Sequence, residues 1–221
     1  MRLILASASP RRAELLRAAG YEFDVVVVDV DESIRDRETP SRYVRRLAAD
    51  KSGAVSGSAL DSRAKVPIDL SPKRENRDLT PIVIGADPIV IGADTTVVVD
   101  DEILAKPRDA ADAAAMLRRL SGRRHDVLTG VSLRRGAYEL GRVESTGVYV
   151  AELTDEEIAW YVGTGEGRDK AGAYAIQGFA SRFIPRIEGS YSNVVGLPVA
   201  CVRELLTEIS GTRPGPSSPR P

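Results

Sequence analysis

An α/β fold around a largely buried sheet is predicted from three observations. Short runs rich in valine and isoleucine alternate with segments of helical periodicity along the chain. Of the 221 residues, 43% are hydrophobic and 29% charged, a globular mixture with enough apolar material for one large domain or two small ones. No linker separates independent units, so a single α/β domain over residues 1–211 is expected.

The elements follow in order. Residues 2–6 are a short apolar run that reads as a buried strand. Ser9 and Pro10 mark a helix start, with Ser at the N-cap and Pro at the first helical position. Leu15, Leu16 and Ala19 supply that helix with an apolar face, and Gly20 ends it. Residues 23–30 are valine-rich and predict a strand. Residues 40–52 carry Tyr43, Val44, Leu47 and Ala48 at helical spacing. Residues 53–80 change character, with glycines, prolines, serines and a run of charges, and read as an exposed, mobile insertion.

A perfect tandem repeat of seven residues comes next, PIVIGAD at 81–87 and again at 88–94. It is far shorter than a solenoid period, and local duplication is its simplest origin. The second copy runs into Thr95, Thr96 and the valines 97–99, another buried-strand pattern, and Asp100-Asp101 suggests a hairpin turn into Ile103-Leu104. Residues 109–120 form an amphipathic helix with Ala113, Met116, Leu117 and Leu120 on one face. Residues 125–134 and 143–151 alternate as strands do, and Thr154 with Glu157 makes a capping box for a helix through Trp160 and Tyr161. Residues 163–178 are glycine-rich, 181–187 read as a strand and 197–210 as a final helix. The tail, 212–221, holds four prolines and no core residues, so disorder is expected there.

Charge narrows the function. Lys+Arg 31 against Asp+Glu 32 leaves a net charge of -1, which argues against a nucleic-acid coat or a polybasic membrane anchor. Aromatic residues, at 5%, offer no evident platform for stacking bases, so no stable nucleic-acid complex is expected. No apolar run approaches the roughly 18 residues of a membrane span. The apolar N-terminal stretch is too short for a signal-peptide core, and a cytoplasmic location is expected. One cysteine, Cys201, and one histidine, His125, exclude an intramolecular disulfide, a cysteine-based metal cluster and a histidine-rich metal site. Enzymatic chemistry in this chain must rest on carboxylates, Lys, Arg and hydroxyls.

Four segments carry such groups. Ser7 to Arg12 joins a strand to a helix whose first turn holds Arg11 and Arg12. Free N–H groups and guanidinium forks there suit an anion, although a capped surface helix with solvated arginines has the same pattern. Asp29, Asp31 and Glu32 end a strand, as ligands of a hard cation such as Mg²⁺ or as a polar turn. In Gly92-Ala93-Asp94-Thr95, followed by Lys106, small residues before the acid would let a ligand approach the backbone. Lys51, on a helix, would ordinarily be solvated. Residues 169–178 are rich in small side chains and include Gln177, whose amide offers both a donor and an acceptor to a base edge or to a turn. His125 reads as structural or exposed, and Cys201 as core.

Taken in order, Ser7-Ala8-Ser9-Pro10-Arg11-Arg12, Asp29 to Glu32, Lys51, Gly92-Ala93-Asp94-Thr95, Lys106-Pro107, Leu120-Ser121-Gly122, Thr129-Gly130-Val131, Asp169-Lys170-Ala171-Gly172, Ile176-Gln177-Gly178 and the run from Tyr191 to Pro198 closely resemble the Maf family of nucleoside triphosphate pyrophosphatases. The resemblance covers residues 2–208 apart from the insertion and one copy of the repeat. It implies an elongated α/β fold like that of the house-cleaning pyrophosphatases, a central mixed sheet flanked by helices with a cleft between two lobes. Gly92-Ala93-Asp94-Thr95 is similar to the branch acting on dTTP and UTP rather than to a sister branch preferring 7-methyl-GTP. The resemblance also implies Asp94 as proton acceptor, with Arg11, Thr95 and Gln177 influencing substrate choice.

Physical chemistry is consistent with that role. Arg11, Arg12, Lys51 and Lys106, with Ser7, Thr95 and Gln177, would bind a nucleoside triphosphate, and Glu32 and Asp94 would hold a divalent cation, Mg²⁺ or Mn²⁺. Water would attack the α-phosphorus in line and pyrophosphate would leave. Which carboxylate binds metal and which takes the proton stays open at this level. A homodimer is compatible with this reading. The rival is a nucleotide-dependent regulatory binding protein linked to septum formation, without turnover. Of the two aspartates in the repeat, Asp94 is expected to be the base, at the start of a well-anchored strand. Asp87 precedes Pro88, which cannot donate to a sheet ladder. In a continuous strand a seven-residue shift also points the two acids to opposite faces.

Overall fold

The computed structural model describes residues 1–55 and 87–211. The expected tail and almost all of the insertion and of the first repeat copy lie outside the described residues. The first residue expected in the insertion, Gly53, instead closes a helix, and Val55 is buried.

Strand β1 (Leu3–Ala6) is buried along its whole length. Helix α1 (Pro10–Ala18) starts as expected, with Pro10 in its first turn, but the Ser9 side chain caps nothing. Its backbone N–H instead donates to Ser7 Oγ at 3.2 Å. The buried face is Ala13 and Leu16, one turn apart, and Ala19 at the C-cap is exposed. Strand β2 spans only Asp24–Val26, shorter than the expected 23–30. The cause is its partner: β2 runs parallel to β1, and β1 ends at Ala6 opposite Val26.

Helix α2 (Pro40–Gly53) is capped by Thr39 and lies on the sheet. Strand β3 (Ile89–Val99) is the central element, and a turn with positive φ at Asp100 and Asp101 folds it back into β4 (Glu102–Leu104). Helix α3 (Ala110–Leu120) buries the four expected residues, Ala113, Met116, Leu117 and Leu120. Strands β5 (Arg124–Arg135) and β6 (Tyr138–Tyr149) form one long hairpin. The first half of β6 was unread in the sequence because it is mostly half-buried and lacks strict alternation.

Helix α4 (Asp155–Thr164) carries the predicted capping box, with both of its hydrogen bonds formed. The strand expected at 181–187 is absent. A 3₁₀ turn spans Phe179–Phe183, and only β7 (Arg186–Glu188) pairs, against β6. The final helix expected at 197–210 is present as α6 (Val199–Gly211), and a short helix the sequence did not announce, α5 (Tyr191–Val195), precedes it, with Leu197 and Pro198 between them.

The sheet runs β2-β1-β3-β5-β6-β7. The pairings β2–β1 and β1–β3 are parallel and the others antiparallel, so the sheet is mixed, as expected. Its decisive feature is a fork. Both β1 and β4 use the same edge of β3, β1 along Ile89 to Gly92 and β4 along Val97 to Val99. Between them, Ala93 to Thr96 have no strand on that edge among the described residues. Among the described residues, the two larger of three apolar clusters follow the fork: one gathers Leu5, Leu16, Ile89, Ile91 and α6, the other Val97, Val99, Leu104, Leu117 and Tyr161. The seam between these two lobes falls at Asp94.

Helix α2 reaches the sheet at this level because two glycines let it. A Cβ on Gly92 would overlap the Ala48 carbonyl, and one on Gly130 the Val44 carbonyl. The small residues before Asp94 therefore admit a helix, not a ligand as the sequence suggested.

Candidate active site

The fork opens into a cleft of about 550 Å³ between the lobes. Asp94 stands at its back, in the middle of β3 rather than at the strand's start. Lys51, near the end of α2, is buried instead of solvated. Its Nζ donates to Asp94 Oδ1 and to Glu32 Oε1, each at 2.7 Å. Close packing of α2 on Gly92 and Gly130 brings the lysine to this depth. Glu32 arrives from the segment after β2 and is about half exposed. Burial raises its pKa, but the hydrogen bond and charge of Lys51, with Lys106 and Arg12, outweigh that and hold it below the usual range.

Arg12 fills the unpaired edge of β3. It donates through Nη1 to the Ala93 carbonyl at 2.8 Å and to Ser7 Oγ at 3.3 Å. Through Nε it reaches the Gly196 carbonyl at 2.8 Å, and through Nη2 it reaches Thr95 Oγ1 at 3.2 Å. Four of a guanidinium's five N–H groups are thus committed to the protein. Burial lowers the Arg12 pKa, and Asp94 opposes that. Thr95 Oγ1 also reaches the Gly196 carbonyl and Thr129 Oγ1. Ser7, Arg12 and Thr95 therefore form one network that ties α1, β3 and the α5–α6 junction together at the cleft wall.

Among the described residues Arg11 pairs with the exposed Asp169 Oδ2, at 3.5 Å, across the cleft from α1. Lys170 Nζ holds the other oxygen of Asp169 at 2.6 Å. Lys106 and the exposed Gln177 line the same cleft. All nine residues expected from the sequence to act here, Ser7, Arg11, Arg12, Glu32, Lys51, Asp94, Thr95, Lys106 and Gln177, are in this wall. Asp31 takes the alternative reading: its Oδ1 accepts the Ser33 N–H at 2.9 Å in an exposed turn. Asp87 is exposed and outside β3.

The residues fit a divalent cation in a limited way. Lys51 occupies the space between Oε1 of Glu32 and Oδ1 of Asp94, which leaves Oε2 and Oδ2 without partners among the described residues. One or two carboxylate contacts suffice for Mg²⁺ when phosphates and water complete its shell. Among the described residues no group of three or more His, Cys, Asp and Glu converges as a self-sufficient metal centre.

Sequence reasoning missed Tyr43, which it assigned to an apolar helix face. Its hydroxyl donates to the Glu32 carbonyl at 3.0 Å, and the residue lines the cleft. Burial and the charges of Asp94 and Glu32 push its pKa up to about 12. A polar tip on a half-apolar side chain was its only signal. Asn193 was also unassigned. It is fully buried and donates to the Val127 carbonyl and Thr146 Oγ1, which fixes the segment carrying Gly196. His125 is structural: it is buried, and its Nε2 lies 2.8 Å from the Tyr174 hydroxyl. Cys201 is core.

Known proteins resemble this chain closely. A protein of Koribacter versatilis named dTTP/UTP pyrophosphatase is 49% identical over 206 residues, 93% of each chain. Proteins with the same name from Anaeromyxobacter dehalogenans (strain 2CP-C) and Vibrio cholerae are 47% and 44% identical over 93% of this chain and 92% and 96% of theirs. Among solved structures, the Ham1 protein of Staphylococcus aureus aligns at 14% identity and a TM-score of 0.49, over 95% of this chain and 100% of that one. The family model described as Maf-like protein matches residues 2–209. With that match over nearly the whole described chain, and with relatives this similar, the chain belongs to the Maf family.

Proposed function

We propose that the protein hydrolyses dTTP, UTP and related modified pyrimidine nucleoside triphosphates to the monophosphate and pyrophosphate. The observation that carries this reading is the Asp94–Lys51–Glu32 chain at the back of a cleft otherwise walled by Arg11 and Lys106. The names of the relatives support the choice of nucleotide. A pure binding site has no need of a buried carboxylate tethered to a lysine, so the regulatory alternative is not favoured.

In this reading Arg11, Lys106 and Lys170 receive the triphosphate oxygens. Lys51 holds Asp94 by one oxygen and orients the other toward the attacking water. Asp94 takes the water's proton as the new oxygen–phosphorus bond forms at the α-phosphorus. The bond to the bridging oxygen breaks, and pyrophosphate leaves with that oxygen and its electron pair. Glu32 and Asp94 are the residues that would hold Mg²⁺ or Mn²⁺, which supplies charge neutralisation at the phosphates when bound. Arg12, Thr95 and Ser7 keep the wall in place and leave little of Arg12 for the ligand.

The cytoplasm, where nucleoside triphosphates are made and used, is the compartment this activity calls for. No helix among the described residues is long and apolar enough to cross a membrane. The test is pyrophosphate release from dTTP, UTP, dCTP, GTP and ATP, with Mg²⁺ or Mn²⁺. Faster turnover of dTTP and UTP is expected. Equal rates for dTTP, GTP and ATP would remove the pyrimidine preference, and no release from any nucleotide would remove the activity.

A further inference from the structure

We propose that Tyr161 and Glu166 are positioning residues for Gln177, a bracket that sets nucleotide selectivity without touching the nucleotide. The inference rests on the reading that Gln177 meets the base.

Gln177 is the exposed crest of a loop that emerges from the second lobe. Both flanks of that crest are tied to one hydroxyl–carboxylate pair. Before it, the Ala175 N–H donates to Tyr161 Oη at 3.1 Å. After it, the Phe179 N–H donates to Glu166 Oε1 at 2.9 Å and the Ala180 N–H to Oε2 at 3.3 Å. The pair is joined to itself, since the Tyr161 hydroxyl donates to Glu166 Oε2 at 2.7 Å. Gly178, next to the crest, lies so close that a Cβ there would overlap the Glu166 carboxylate. A larger residue would lift the loop off its support.

The chemistry of the pair suits this work. A carboxylate accepts several hydrogen bonds and donates none, which matches three converging donors. Burial raises the Tyr161 pKa, and the bond to Glu166 adds to that, so the phenol keeps the proton it donates. Tyr161 itself is 1% exposed and packs in the second core. The bracket is therefore referenced to the buried core and not to the exposed crest. Lys170, in the cleft wall, donates through Nζ to the Glu166 carbonyl at 2.7 Å, so the same residue also spaces the crest from the phosphate side.

An amide held in one pose discriminates base edges, whereas a loosened amide can pair with several. Tyr161→Phe removes both hydrogen bonds of the hydroxyl and keeps the buried ring. Glu166→Gln keeps the shape and one acceptor. The experiment measures kcat and KM for dTTP and dGTP in the parent, Tyr161→Phe, Glu166→Gln and Gln177→Ala, with Tm for each. The expected result is that Tyr161→Phe and Gln177→Ala lower the dTTP-to-dGTP ratio of kcat/KM by roughly three- to tenfold. That loss should lie mainly in the KM for dTTP, with kcat within about twofold of the parent, and Glu166→Gln should fall between. If Gln177→Ala lowers the ratio and the other two leave it intact, the bracket is overturned and the base-reading role stands. A fall in Tm and kcat with the ratio unchanged makes the pair structural only and also overturns the inference. An unchanged ratio in Gln177→Ala overturns the base-reading role, and the bracket with it.

Discussion

Lys51 Nζ and Asp94 Oδ1 lie 2.7 Å apart, with both side chains about nine-tenths buried. Removing one member of such a pair leaves the other charge without compensation, which typically destabilises by about 3–5 kcal/mol. Lys51→Met should therefore lower both the unfolding free energy and the rate, because two carboxylates lose their shared cation. Chemical denaturation beside a pyrophosphate assay checks this. Unchanged stability would mean that the pair is not formed in solution.

Asp94→Asn should reduce turnover by roughly a thousandfold or more, equivalent to about 4 kcal/mol of barrier. Nucleotide binding should stay measurable by calorimetry. Asp87→Asn, at an exposed position outside β3, should stay within a few-fold of the parent. A reversal of the two phenotypes would place the base in the other copy of the repeat.

Arg11 and Arg12 should separate in one experiment. Arg12→Ala strips four hydrogen bonds from the seam and is expected to reduce stability by about 2–4 kcal/mol along with activity. Arg11→Ala loses one pair with an exposed carboxylate, worth at most about 1 kcal/mol. It should melt near the parent and show a raised KM. Equal melting temperatures for both variants would argue that Arg12 is a ligand group rather than a strut.

Acid should weaken the fold in two windows. Burial lowers the His125 pKa from 6.5 to about 4, so between those values the unfolded chain binds more protons and stability rises with pH. His125 thus contributes about 3 kcal/mol that is present above pH 6.5 and lost as pH falls toward 4. Glu38, held by a hydrogen bond from Arg46, has its pKa lowered from 4.5 to about 2, so its contribution is present above pH 4.5 and is lost as pH falls toward 2. Denaturation midpoints from pH 7 to 5 should fall in the parent and flatten in His125→Gln. An equal slope in the variant assigns the effect elsewhere.

Gly92→Ala and Gly130→Ala should each overpack the α2 contact, lowering stability by about 1–3 kcal/mol. Because α2 carries Lys51, kcat should fall too, although neither glycine touches the nucleotide. Thermal melts and rates of the two variants test this; parent-like values in both would mean that α2 sits farther from the sheet.

By itself the sequence determined the local elements whose signals are local. Pro10 after Ser9, the Asp100-Asp101 turn, the apolar stripe of α3 and the Thr154–Glu157 capping box each depend on neighbours within a few residues, and each is present. The order of its motifs also named the family and collected the residues of the cleft wall. What only the tertiary structure decided depends on partners far along the chain. The length of β2 is set by where β1 stops, and the valines after Val26 carry no sign of that. Gly92 reads as ligand space, and Gly130 carries no reading of its own, until a helix forty or more residues earlier in the chain is seen to pack on both. Arg11 and Arg12 are adjacent in sequence, yet one reaches into the open cleft and the other closes an unpaired strand edge, because a helix turns successive side chains by about 100°. The burial of Lys51 between Asp94 and Glu32 belongs to the same class: periodicity places a lysine on a helix, and only the sheet beneath that helix makes it part of a site.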